Sequence, residues 1–465
     1  MARSVRSHAA TGSYLRIIHR NGCKVRKIAF CLLVLSSIAY APVARAVTIT
    51  MGGDVDDAMA KVSTLYASDS NGKPVVLSHT GNLAPDGGTF TEFGVPSVGT
   101  DGTILFAAET SIFGAASWHI FSANARRPAV ARVESMTIPD AESASCSPLV
   151  KNDVYPVGDG TGAIAFIAPT QGGGDAIFLV SHGRFECVAH TGDFTNHNRR
   201  VVNLGFGSLQ MGAAQELIFE GTVVDERDAL ISANGGNGAQ SRKPTRRSIL
   251  SVSPGRDLTE IATERDDGPG KRPYGPIFGL PAAVNSDGRT LVAFINYSQA
   301  DGGAVFLSRD DQVTQVLSRG TDTNLGRVKY VSVGRPALSQ DGTVALSGTV
   351  DDKRAVIRVA SEGAPQAVLL EGHKAPGGSR FAVFGDPALT ASGSMFFGAL
   401  DNKDRDWFYV LDDASKVRPL APVCESAKPV ACATPSSVMS GTLYVNQSGD
   451  FAFLGGAVKI PHHAQ

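Results

Sequence analysis

Four side chains able to carry positive charge recur at one place in the sequence pattern: His79, His190, Arg319 and His373. They sit in Leu77-Ser-His79-Thr-Gly81, Val188-Ala-His190-Thr-Gly192, Leu317-Ser-Arg319-Gly320 and Glu371-Gly-His373. Four such donors brought together would suit a small anionic ligand, because charged N–H groups make the strongest hydrogen bonds to carboxylate and phosphate oxygens. The plainer reading is a repeated turn whose side chains satisfy their own backbone. Acidic runs are the next candidates. Asp54-Val-Asp56-Asp57 and Asp401-Asn-Lys-Asp404-Arg-Asp406 resemble fragments of calcium loops, but both lack the turn glycine and distal Glu of a closed loop, so they read as solvated turns. His119, His182, His197, His462 and His463 show no i,i+4 ligand spacing, and no nucleophile elbow, zinc-binding helix or phosphate loop is present. The sequence thus assigns no catalytic residue, metal or cofactor. Paired carboxylates for glycoside hydrolysis stay open, since their separation is spatial.

The elements that must position these residues are short strands. Near the end, Asn446-Gln-Ser-Gly449 runs into Asp450-Phe-Ala-Phe453, a turn that feeds an alternating apolar strand. The pattern occurs seven times, at Val98–Phe106, Gly158–Phe166, Met211–Phe219, Val284–Phe294, Leu338–Leu346, Leu389–Phe397 and Val445–Phe453. Gln215 replaces the turn glycine in the third copy, and the fourth is two residues longer. Upstream lies a second signature: Phe93-Gly-Val-Pro96, Phe278-Gly-Leu-Pro281, Val333-Gly-Arg-Pro336 and Phe384-Gly-Asp-Pro387, with only Pro156 in copy two and Phe206-Gly207 in copy three. Proline belongs at strand starts and edges, and glycine permits close backbone approach, which suits a first strand crowded around an axis. Two more apolar runs follow each turn. Four antiparallel strands per repeat predict the blade of a β-propeller. Trp118 and Trp407 fall on matching third strands and are expected to pack between blades.

The ends set the blade count. The last copy stops after its second strand, whereas Val62–Tyr66 and Val75–Ser78 match third and fourth strands with nothing before them. The expectation is an all-β, seven-bladed β-propeller whose last blade is closed by strands from both termini, which removes two exposed sheet edges. The insert 234–247 is rich in Gly, Asn and basic residues and reads as a mobile loop.

Residues 1–46 read as a signal peptide: eight basic residues and no acidic one, an apolar run from Ile28 to Ala39, and Ala44-Arg-Ala46 before the cleavage point. The apolar run is shorter than a membrane span needs. Residues 47–465 are then a single propeller with a net negative charge, which disfavours nucleic acid as a partner. Four cysteines remain beyond residue 46, and an even number in an oxidising compartment favours disulfides. Cys424–Cys432 would close a short connector, and Cys146–Cys187 would tie the approach to the second blade to its fourth strand.

The Asn-x-x-Gly-x-x-Ala-Phe pattern resembles a family of exported bacterial tandem-repeat proteins of the choice-of-anchor type, named for that repeat. Ala84-Pro-Asp-Gly-Gly-Thr-Phe90 and Ala375-Pro-Gly-Gly-Ser-Arg-Phe381, leading into Phe-Gly-x-Pro, add to the likeness. The resemblance spans essentially all of the chain beyond residue 46, matches in full only in the seventh copy, and implies location and repeat architecture, not an activity. The expectation is an exported, periplasmic or extracellular monomer: a non-enzymatic scaffold binding a small anionic ligand or a protein at its channel face. A propeller hydrolase or lyase on a polysaccharide or small metabolite, and a structural envelope or matrix component, are the alternatives.

Overall fold

The computed structural model describes residues 63–68, 74–124, 127–133, 146–150, 154–181, 184–205, 207–225, 245–277, 280–296, 303–310, 312–332, 334–403, 406–420, 434–435 and 443–456. They form seven small antiparallel sheets. These are the blades of a seven-bladed β-propeller. Helical structure among the described residues is confined to short turns such as Ala213–Gln215 and Pro269–Lys271.

Blade 1 shows the plan. Its second strand, Thr103–Ile112, pairs with the third, Ala115–Asn124, which pairs with the fourth, Arg127–Arg132. The first strand is broken in two. Thr89–Phe93 lies against the far half of the second strand, and Ser97–Val98 against its near half. The break is Gly94-Val95-Pro96, so proline falls where a ladder donor is missing. The Phe-Gly-x-Pro signature therefore marks an interruption within the first strand, not its start.

One cross-strand pair recurs in every blade. The second-strand residue at the end of each repeat faces a large third-strand side chain: Phe106↔Phe121, Phe166↔Phe178, Phe219↔Leu250, Phe294↔Phe306, Leu346↔Ile357, Phe397↔Tyr409 and Phe453↔Tyr66. Five of the seven are stacked aromatic pairs with centroids 5.1–5.7 Å apart. Directly opposed aromatics add to area burial. Each pair feeds a hydrophobic cluster shared between neighbouring blades, and all seven blade interfaces have one. Trp118 packs on the cluster between blades 1 and 2, and Trp407 on that between blades 5 and 6, as expected.

The last pair joins the two ends of the chain. Ser63–Ser68 pairs with Phe451–Gly456 along its whole length, and Pro74–His79 lies outside it. Thr434–Pro435 and Leu443–Val445 supply the broken first strand of this blade. Asn446 Nδ2 also donates to Gly99 O of blade 1 at 2.8 Å, so the ring is latched at its inner edge too.

The turns between first and second strands behave as the repeat implies. In the seventh copy Asn446 N–H bonds Asp450 O at 2.9 Å and Gly449 takes φ +88°, a region that glycine enters without a Cβ clash. Gln215 accepts the same duty at φ +62° in blade 3. In blade 4 the extra residues make a two-residue hairpin, Asp287-Gly288, with positive φ at both positions.

The connectors from one blade to the next are small hairpins of their own. Gly81, Gly192, Gly320 and Gly372 N–H groups bond Phe90, Val201, Val328 and Phe381 O at 2.8 Å, and the last four side chains are buried. The Ala-Pro-Asp-Gly-Gly and Ala-Pro-Gly-Gly-Ser stretches are the tips of two of these hairpins. Cys146 and Cys187 form a disulfide with Cα atoms 5.8 Å apart, joining the approach to blade 2 to its fourth strand. Arg246 and Arg247, read from sequence as loop, begin the third strand of blade 3. Residues 234–244 of that insert, residues 1–62 with Asp54, Asp56 and Asp57, and Asp404, Cys424, Cys432, His182, His462 and His463 lie outside the described residues.

Candidate functional site

The glycines that anchor the connector hairpins show where the four predicted cationic residues stand. His79 and His190 lie two residues before their glycine, Arg319 one before, and His373 one after. They do not share a register, and none of them lines the central channel. This corrects the expectation of a ring. His79 and His190 end the outermost strands of their blades, at the rim of the disc. Their contacts are local: His79 Nδ1 is 2.8 Å from Thr80 O, His190 Nδ1 is 2.7 Å from Asp193 Oδ1, and His373 Nδ1 accepts from Leu370 N–H at 3.3 Å. Asp193 and Thr321 occupy the register of His373 and likewise accept from the backbone three residues earlier. The position caps a turn. Asp401, from the acidic run, is buried and accepts from Lys403 N–H at 2.8 Å, again a turn role.

The channel itself holds a cavity of about 1040 Å³. Its wall is the inner half of every first strand, with residues such as Val98, Val157, Met211, Val284, Leu338 and Leu389. It opens among the first-to-second-strand turns, where Thr100, Gln215, Gln340 and Gln447 line it. At the level of the strand breaks it meets a polar layer made of Tyr155, Gly207, Arg335, Asp386 and Tyr444.

Backbone geometry creates that layer. In blades 1 and 6 the last ladder bond before the break, Gly94 N–H to Ala107 O and Gly385 N–H to Gly398 O, comes three residues before the inner half-strand. In blades 3 and 5 the equivalent bonds, Gly205 N–H to Glu220 O and Ser332 N–H to Ser347 O, come five residues before it. The two extra residues let these breaks reach inward, and they meet: Arg335 Nη2 donates to Gly207 O at 2.8 Å. Arg335 therefore spans from blade 5 to blade 3. Its guanidinium carbon lies 5.8 Å from the centroid of the Tyr444 ring, a cation–π distance. Asp386, from the break of blade 6, accepts Arg335 N–H at 2.9 Å. A Cβ on Gly334 would come 1.9 Å from Asp386 Oδ1, so only glycine leaves room for that carboxylate.

The electrostatics follow from this enclosure. Burial holds the Asp386 carboxyl above its usual range, against the opposite pull of Arg335. Burial also raises the Tyr444 hydroxyl, with Tyr155 adding to the shift and Arg335 opposing it. Among the described residues Arg335 Nε is buried with no acceptor, and Gln447 Oε1, at the other level of the cavity, is buried with no donor. Asp159, the remaining lining carboxylate, is occupied by Thr161 N–H, Thr161 Oγ1 and Ala163 N–H at 2.6–3.1 Å. Among the described residues the lining includes no His, Cys or Lys, and its charged side chains are Arg335, Asp386 and Asp159.

Two other polar groups lie away from the channel. On blade 3, His197, Glu260 and Asp266 approach closely enough to suggest a metal site. The cation there is already Arg199, whose Nε, Nη1 and Nη2 donate to Asp225, Glu260 and Asp266, while Arg246 bridges Asp225 and Asp266. On blade 1, Ser117 Oγ lies 2.8 Å from His119 Nε2 with Asp86 3.9 Å from the same nitrogen. His119 Nδ1 accepts from Arg132 at 3.0 Å, so Nε2 carries the proton and cannot take one from serine. Burial and Arg132 both lower the His119 pKa. A serine-hydrolase triad is excluded at this group.

The polar layer was not foreseen from sequence, although its signal was present. Arg335 and Asp386 occupy the variable position of Phe-Gly-x-Pro, where blades 1 and 4 carry Val95 and Leu280. Two charges at a position otherwise apolar were the clue.

Residues 51–421 match the family of unknown function DUF7453, and the chain belongs to that family. No curated protein matches it by sequence. Similar solved structures include a puromycin-hydrolysing peptidase of Mycobacterium tuberculosis (11% identity, 76% of this chain and 48% of that one, TM-score 0.42). An acylaminoacyl peptidase in complex with a chloromethyl ketone is another (9%, 77% and 47%, 0.41). A third is the β-propeller domain of the Trilobed protease from Pyrococcus furiosus (10%, 72% and 99%, 0.29). The present chain spans about half the length of the first two.

Proposed function

We propose that this protein is an exported binding module whose central channel takes a small ligand through the turn face, without covalent chemistry of its own. The observation that supports this reading is the polar layer of Arg335, Asp386, Tyr155 and Tyr444 at one end of a cavity whose inner-strand wall carries Val98, Val157, Met211, Val284, Leu338 and Leu389. Ligand pockets have this composition: apolar walls for affinity and a few convergent polar groups for orientation. The basic and apolar N-terminal segment and the Cys146–Cys187 disulfide support export to an oxidising compartment, as does the resemblance to exported tandem-repeat proteins. N-terminal sequencing of exported protein should begin at or near Val47; an intact Met1 in that fraction would sink the export reading. Binding is tested by ligand-observed NMR with a fragment mixture and the full chain. Gln340→Trp narrows the mouth from an exposed turn position, so fragments that bind the channel should lose saturation transfer in that variant. If no fragment distinguishes the two proteins, the channel is not a binding site.

A further inference from the structure

We propose that the polar layer recognises the head group of a small zwitterion, an α-amino acid with an apolar side chain; this rests on the channel-binding reading above. The argument begins with an ion pair that fails to form. Asp386 is anchored on the backbone N–H of Arg335, while the guanidinium reaches the other way, to Gly207 O on blade 3. The two opposite charges share one cavity wall, and the side-chain hydrogen bond of Arg335 goes to Gly207 O. Both residues are half-buried in the cavity wall, so a ligand that displaces water there must pair each charge or leave it at a cost.

The candidates differ in what they leave behind. An anion would satisfy Arg335 and face the Asp386 carboxylate at close range. A cation would do the reverse. An apolar molecule would strip water from both charges and return nothing. A zwitterion presents its carboxylate to the guanidinium and its ammonium to Asp386, and so cancels both costs with one head group. A sugar could also bridge the two, but its remaining hydroxyls would meet Val157, Leu209, Leu280, Pro336 and Leu443. Those side chains suit an apolar substituent instead. The Tyr155 and Tyr444 rings flank the head group and add donors without adding charge.

Isothermal titration of the full chain with L-phenylalanine, N-acetyl-L-phenylalanine, L-phenylalaninamide and glucose tests the idea. The free amino acid should bind at least tenfold more tightly than either blocked form, and glucose not measurably. Arg335→Met should weaken L-phenylalanine and the N-acetyl form at least tenfold while sparing the amide. Asp386→Asn should weaken L-phenylalanine and the amide while sparing the N-acetyl form, with near-ultraviolet circular dichroism confirming that each variant keeps its packing. Equal affinity for the free and blocked forms, or binding of glucose in place of the amino acid, would overturn the assignment. So would silence from all four compounds in a protein whose fragment binding remains sensitive to Gln340→Trp. That last result would leave the channel a binding site and remove only the zwitterion.

Discussion

Arg199 and Arg335 are two arginines on first strands of the same ring, each beside carboxylates, and they are used in opposite ways. Arg199 directs every guanidinium nitrogen at a carboxylate oxygen, and its neighbour Glu260 also accepts from Thr195 and Thr263. Arg335 gives one guanidinium nitrogen to a carbonyl and, among the described residues, leaves Nε without an acceptor, while Asp386 accepts from its backbone N–H. A saturated arginine holds its blade together. One left wanting, at the wall of a cavity, does not brace its blades in that way, and it is on this difference that the proposed ligand site rests.

The largest test of this contrast is Arg199→Ala. Its side chain is 12% exposed and that of Glu260 1%, so the variant strands buried negative charge. It should lose about 3–5 kcal/mol of unfolding free energy in urea titration. Arg246→Ala removes only the outer bridge between Asp225 and Asp266 and should cost about 2 kcal/mol, the scale of a charged hydrogen bond. Arg335→Met gives up one hydrogen bond to a carbonyl and should cost about 1 kcal/mol by the same assay. If Arg335→Met proved as damaging as Arg199→Ala, the contrast would collapse, and the channel layer would be another structural brace.

Asp386→Asn should have the smallest effect, and its sign depends on pH. The folded-state pKa of Asp386 is raised above its unfolded value by burial. Its contribution is therefore fully present below the unfolded pKa and is lost as pH rises through the folded one. Wild type should gain stability relative to the variant on acidification from neutral pH, measured as the difference between their melting temperatures. A difference that stays flat, or grows in favour of Asn at low pH, would show that the carboxyl is not held in an enclosed site.

How much of this the sequence carried depends on how local the signal is. The blades were legible because hairpin turns and alternating strands are written within a dozen residues, and the residue at the end of each repeat, Leu346 in blade 5 and Phe in the others, proved to be the same cross-strand partner in every blade. The hybrid blade was legible by subtraction: two strands left over at one end and two missing at the other. The connector residues were misread because resemblance between side chains was allowed to set the register. Gly81, Gly192, Gly320 and Gly372 would have been better landmarks, since they share one backbone bond. The polar layer could not be assembled from sequence, because Tyr155, Gly207, Arg335, Asp386 and Tyr444 come from five blades and only ring closure brings them to one level.

The pairing of Ser68 with Phe451 also dictates an order of events during synthesis. Ser63–Ser68 emerges from the ribosome early and must wait for about 380 further residues before its partner exists. Blades 1 to 6 can each be built from neighbouring strands as they appear, whereas the seventh cannot begin until Phe451–Gly456 has been made. Non-local pairings of this kind are slow, and an unpaired strand edge is vulnerable to wrong partners while it waits. The polar layer shares this delay, since Tyr444 arrives with the last blade and Asp386 only shortly before it. Assembly of the polar layer thus waits for ring closure, and a polypeptide stalled before residue 443 would have its first six blades in place, an open seam and an incomplete channel wall.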